Sequence, residues 1–265
     1  SRPLARGFAL EFFPDLRLLE PMILEMCIDS VESAIASAEG GANRIEFCAN
    51  LLEGGTTPSL GAIRETKRSA KIDLSVMVRP RGGDFCHTEE EFAVMQEDVR
   101  IFKEEGVDCV VFGLLNPDGT VDVDRTRQLI ELANPLPVTF HRAFDMARDP
   151  FEALDTLLEL GVQRILTSGQ EPSVFEGTGL IRKLIEHAGD RITIMPGCGI
   201  TLKNVDRVIA ETGAKEIHVA APAPQASLMT YRNDEVFMGT ALRSEEYARY
   251  VTPTQNVSAL RNKIG

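Results

Sequence analysis

Short apolar runs rich in β-branched residues recur about every thirty residues, each followed by a stretch with helical periodicity. They begin near Met22, Arg44, Asp73, Val107, Pro137, Arg164, Ile192 and Glu216. That interval is the length of a βα unit, and eight such units close into a TIM (β/α)8 barrel. The predicted fold is a single α/β domain of this kind. Ligands of such barrels meet the carboxyl ends of the strands. At or near those ends the sequence places Cys27, Cys48, Arg79, His141, Arg142, Gly197 and His218.

The rest of the chain fits that frame. Residues 22–265 are assigned to the barrel and residues 1–21 to a poorly ordered N-terminal tail without the apolar block of a secretory signal. Two stretches break the rhythm: the Pro- and Gly-rich segment Arg79 to His87, and a long loop at about 222–253. Thr254 to Ile264 reads as the closing helix. The formal charge of −12 argues against a nucleic-acid surface, and no apolar run is long enough to span a membrane. Five cysteines, an odd number without zinc-finger spacing, suit a reduced intracellular protein.

Helix starts are marked by polar caps. Asp29 with Glu32, and Thr88 with Glu91, have capping-box spacing, Asp149 precedes Pro150, and Thr201 stands ahead of Val205 and Val208. The expected buried faces are Val31, Ile35 and Ala38 in the first helix, and Phe92, Met95, Val99 and Phe102 in the third.

Alternate strand residues share a face. One phase is apolar: Leu24, Met26, Ile28, Ile45, Phe47, Leu74, Val76 and Val78. The other gathers Glu25 with Cys27, Arg44 with Glu46 and Cys48, Ser75 with Met77 and Arg79, Thr139 with His141, and Glu216 with His218. Such a lumen is costly unless its charges pair with one another or serve a ligand. Glu25, Arg44 and Glu46 fit either role.

Cys27 and Cys48 end neighbouring strands, whose axes run about 4.8 Å apart. Two inward thiols there suit a soft metal ion, and they equally suit packing as small hydrophobes. Cys86 beside His87 is a second ligand pair of the same open kind. For an anion, Arg79 and Arg81 offer guanidinium forks beside Gly82 and Gly83, while Gly197 and Gly199 offer a backbone cradle or simply a tight turn. His141, with Arg142 and Asp145 close behind, is a candidate acid or base.

These words have a family likeness. Glu25-Met-Cys27-Ile-Asp29-Ser30, Arg44-Ile-Glu46-Phe-Cys48, Val78-Arg79-Pro80-Arg81-Gly82-Gly83-Asp84-Phe85, Phe140-His141-Arg142-Ala143-Phe144-Asp145 and Pro196-Gly197-Cys198-Gly199-Ile200 together resemble the CutC copper homeostasis family. The likeness runs from about Met22 to the C-terminus and looks like that of an animal member. It implies a TIM barrel, a homo-oligomer (a tetramer), a cytoplasmic location with the nucleus as a second one, and Cu(I) as the bound ion. Cys27 and Cys48 match the family's strand-end cysteines and are the implied ligands.

Two functional expectations follow. The first is a copper homeostasis protein binding Cu(I) through those cysteines in the cytosol. The second is a TIM-barrel lyase, isomerase or hydrolase acting on a small anionic or phosphorylated substrate. There His141 or Glu46 would move the proton, and Glu25, Arg44, Arg79, Arg142, Gly197 and Gly199 would form the ligand pocket.

Overall fold

A computed structural model describes residues 22–238 and 246–265, so the expected tail at residues 1–21 lies outside the described residues. The barrel strands are β1 (Ile23–Ile28), β2 (Arg44–Phe47), β3 (Asp73–Met77), β4 (Cys109–Phe112), β5 (Val138–Phe140), β6 (Arg164–Thr167), β7 (Thr193–Pro196) and β8 (Glu216–Val219). Parallel ladders link them in the order β7-β6-β5-β4-β3-β2-β1-β8, and β7 lies beside β8 to complete the circle. The helices are α1 (Val31–Glu39), α2 (Leu60–Ser69), α3 (Glu89–Glu104), α4 (Val123–Ala133), α5 (Pro150–Glu159), α6 (Val174–Ala188), α7 (Val205–Thr212) and α8 (Thr254–Ile264). The expected (β/α)8 alternation is the observed one.

The apolar strand phase faces the helix layer. Leu24, Met26, Ile28, Ile45, Phe47, Leu74, Val76 and Val78 are all at most 2% exposed and join one continuous core. Helix α3 shows how local sequence feeds this layer. The Thr88 hydroxyl accepts from the Glu91 amide, the Glu91 carboxylate accepts from the Thr88 amide, and three glutamates occupy the positive end of the helix dipole. Its buried stripe is Phe92, Met95, Val99 and Phe102, each worth roughly 1.5–3 kcal/mol of transfer free energy.

Three local expectations are corrected. The cap of α1 is Ser30 and not Asp29, and its hydroxyl accepts from the Ser33 amide. The face of α1 that is buried is the small one, Ser33, Ala34 and Ser37, because α8 packs closely on this helix. A Cβ placed on Gly40, just past α1, would lie 2.4 Å from Val257 Cβ of α8. Thr201 does not cap α7: it opens a turn, and the helix starts at Val205 after Asn204.

The long loop is not featureless. It contains an antiparallel pair, β9 (Ala223–Ala226) and β10 (Ala248–Val251). Among the described residues, no helix is long and apolar enough to cross a membrane.

Candidate metal and ligand site in the barrel lumen

The polar strand phase fills the lumen, and its register determines who meets whom. Glu25 lies opposite Arg44 on one side and His218 on the other, and Cys27 lies opposite Glu46. Cys48 follows two residues after Glu46 on the same strand phase, so the carboxyl group reaches both sulfurs. Glu46 Oε2 is 3.6 Å from Cys27 Sγ and 3.4 Å from Cys48 Sγ.

Below this point the charges form a column towards the amino ends of the strands. His218 Nδ1 is 2.7 Å from Glu25 Oε1, and its Nε2 is 3.7 Å from Glu46 Oε2. Arg44 donates through Nε to Glu25 and through Nη2 to Glu216 at 2.6 Å. Arg164 donates to the same Glu216 carboxylate at 2.7 Å and to Thr139 Oγ1 at 3.1 Å. Cation and anion alternate, which is what allows so many charges in a confined interior.

The column tunes the groups at its top. Burial opposes a charged Glu25, yet Arg44, His218 and Arg164 outweigh it and hold the carboxyl well below the usual carboxylate range. Burial also opposes a charged His218, but Glu46, Cys27 and Glu25 raise its pKa well above the ordinary imidazole value. Burial pushes Glu46 up to about 8. The Cys48 contact brings Cys27 down to about 5, against burial and with help from His218. Cys48, on the other side of that contact and buried, is raised well above an ordinary thiol. At neutral pH the apex is therefore a Cys27 thiolate beside a protonated His218, a neutral Glu46 and a Cys48 thiol.

Among the described residues, two sets of potential metal ligands have donor atoms within 4.8 Å of one another: Cys27, Glu46 and Cys48, and Glu25, Glu46 and His218. Cys86 and His87 belong to neither. In the second set, Glu25 and His218 are already paired with each other. In the first, Cys27 lines the cavity at the barrel mouth and Cys48 is 1% exposed, and both sit in an apolar patch with Met77, Val111 and Leu51.

Above the cysteines a cavity of about 660 Å³ opens at the carboxyl ends of the strands. Cys27, Glu46, Arg79, His141, Arg142, Gly199 and His218 line it. Glu25, Arg44, Cys48 and Gly197 lie outside that lining. Arg44 sits in the deeper layer, committed to two carboxylates. Gly197 is wedged where a Cβ would come within 2.5 Å of Leu166, and its amide donates to the Thr167 carbonyl.

Arg79 has a different setting from a free fork. Its Nη atoms donate to the carbonyls of Glu53, Gly55 and Gly83, each at 2.8 Å, and its guanidinium lies 5.1 Å over the Phe85 ring. It ties two mouth loops together. Arg142 remains at the rim, bonded to Asp145 at 2.8 Å and to Ser168 at 2.9 Å.

His218 was visible as a strand-end residue, but its sequence position alone gave it no role. Arg164 and Glu216 were not among the candidate site residues. Their signal was an ionisable residue at the first position of a strand, as in Arg44. The short 3-10 turn Leu51–Glu53, which brings Leu51 and Glu53 to the mouth, carried no such signal.

The model of the CutC family matches residues 22–223. The chain belongs to the CutC family. A copper homeostasis protein cutC homolog from Mus musculus is 50% identical over 238 residues, covering 90% of this chain and 88% of the mouse protein. The Homo sapiens homolog is 49% identical, covering 90% and 87%. A crystal structure of CutC from Streptococcus agalactiae superposes with a TM-score of 0.71 at 35% identity, covering 74% of this chain and 97% of the bacterial one. A phosphoribosylanthranilate isomerase from Pyrococcus furiosus, at 14% identity and a TM-score of 0.52, shares the barrel fold alone. The chain is thus a homologue of CutC copper homeostasis proteins.

Proposed function

We propose that this CutC family member takes part in copper handling by binding Cu(I) between Cys27 and Cys48, in a reducing compartment such as the cytosol. The observation that carries this reading is the closeness of the two sulfurs, which lie within 4.8 Å of each other, Cys27 lining the mouth cavity and Cys48 buried outside its lining. Two metal–thiolate bonds of about 2.3 Å placed in line span roughly 4.6 Å. Thiolates are soft donors that select Cu(I) over harder ions, and Glu46, held neutral by burial, is a poor competitor as a ligand. Nearby His218, as a cation, offsets the negative charge of a two-thiolate complex.

Binding takes the Cys48 proton, since the metal needs both thiolates. Affinity should therefore rise with pH. The exposed apolar side chains Leu228 and Met238, 95% and 82% accessible in the segment between β9 and β10, support the oligomer that the family likeness implies.

Anaerobic Cu(I) titration against a chromogenic chelator tests the assignment. One ion per chain is expected, and Cys27→Ser and Cys48→Ser should each weaken binding at least tenfold, about 1.4 kcal/mol. Thermal melting of each variant checks that the barrel is intact. Unchanged affinity in folded variants rejects the two cysteines as ligands.

A further inference from the structure

The mouth cavity is far larger than a metal ion requires, and two buried donors on its wall have no partner in the protein. His141 is 3% exposed and Arg79 is 5% exposed. Neither His141 Nε2 nor Arg79 Nε has a hydrogen-bond partner. Buried polar atoms are nearly always bonded, so two such donors lining one cavity need an account.

The tautomer of His141 follows from its backbone setting. The Ala143 amide donates to His141 Nδ1 at 3.2 Å, so Nδ1 carries a lone pair and the proton sits on Nε2. Burial, with Arg79 nearby, brings the imidazole pKa down to about 3, so the ring is neutral at physiological pH. Its Nδ1 edge packs on Gly113, where an added Cβ would lie 2.6 Å from Nδ1. Nε2–H is thus the polar atom left for the cavity. The Phe85 ring packs against both residues, 5.0 Å from the His141 ring and 5.1 Å under the Arg79 guanidinium.

We infer that this wall binds a small organic molecule through sp2 oxygens, the ketone and carboxylate of a 2-oxo acid, one accepting from His141 Nε2–H and another from Arg79 Nε–H. The rest of its body lies against Leu51, Met77, Phe85, Leu166 and Ile200 of the same cavity. The inference goes beyond the copper reading and uses neither of its cysteines.

A phosphate group fits poorly. The Nη atoms of Arg79 are bonded to carbonyls, the Gly197 amide is bonded to Thr167, and α7 begins only at Val205. Arg142 is bonded to Asp145 and Ser168, and His218 is paired with Glu25. The single free N–H of Arg79 and the neutral imidazole of His141 therefore match carbonyl-type oxygens better than a dianion.

The test uses the full metal-free chain, labelled with ¹⁵N-histidine, and titrates pyruvate, 4-methyl-2-oxopentanoate and inorganic phosphate. The His141 resonances should report an Nε2–H tautomer before any addition. The 2-oxo acids should then move the Nε2 signal, and the branched one should bind more tightly. His141→Asn keeps an acceptor for the Ala143 amide while removing the Nε2 donor, and it should weaken 2-oxo acid binding at least tenfold. An Nδ1–H tautomer, no movement with either acid, equal movement with phosphate, or equal binding by a folded His141→Asn would each overturn the inference. Cu(I) affinity, measured separately, does not enter the outcome.

Discussion

Arg44→Met is expected to destabilise the protein by about 3–5 kcal/mol, the usual cost of stripping one partner from a buried ion pair. Arg44 is 11% exposed in its side chain and bridges Glu25 and Glu216, which are 2% and 14% exposed. Without the guanidinium, Glu25 keeps His218 and a 3.4 Å contact with Ser75, and Glu216 keeps Arg164. Two carboxylates would then share a lumen with too little positive charge. Urea denaturation at neutral pH should show a lower midpoint with an unchanged slope. Replacing Arg44, Arg164 and Glu216 together with apolar side chains of similar volume should recover most of the loss, because Glu25 then remains paired with His218. A loss below about 1 kcal/mol for Arg44→Met, within the range of exposed pairs, would contradict the buried column.

The second large effect is a fall in the stability of the metal-free protein between about pH 6.5 and 8. His218 has a raised pKa in the folded state, so its contribution is complete below the ordinary imidazole value of about 6.5 and is lost as pH rises through the folded one. Glu46, raised to about 8, acts in the same direction between the ordinary carboxyl value and pH 8. Cys27, lowered to about 5, opposes both, because its thiolate favours the folded state increasingly up to the ordinary thiol range. Within the window the folded chain holds the His218 and Glu46 protons and lacks that of Cys27, while the unfolded chain does the reverse. Among these three groups the folded state binds one proton more. His141, held neutral in the fold with its pKa brought down to about 3, works the other way near the ordinary imidazole value of about 6.5. Stability should therefore fall by about 1 kcal/mol across the window. Glu46→Gln should flatten the profile and Cys27→Ser should steepen it. Denaturation midpoints that rise with pH across this interval would refute the assigned protonation pattern.

Much of this geometry was legible in the chain itself. The strand starts and the two side-chain phases came from period-two alternation, which survives because one phase must enter the outer core and the other the lumen. Capping was read less well. Ser30 and Asp29 both offer an oxygen, and the choice falls to the residue whose backbone is extended just before α1, Ser30 at φ −144° and ψ 150°. The anion reading of Arg79 rested on its neighbours in sequence, whereas its partners Glu53 and Gly55 come from a different loop. The β9–β10 pair was hidden because Ala223–Ala226 has no alternating pattern and pairs with a segment more than twenty residues away. Arg164 was missed for a related reason: a lone arginine opening a strand reads as solvated until the register sets it against Glu216.

Leu24, Ile45, Val76 and their neighbours hold the sheet to the helices from outside, while Glu25, Arg44 and His218 occupy its axis. Adhesion and chemistry are thereby assigned to opposite faces of the same ribbons. Drift along the axis can remodel reactivity without loosening the shell, provided that opposite charges are exchanged in matched sets. A single unmatched exchange strands a charge where no solvent can shield it, so descendants of such a barrel should differ inside by correlated steps.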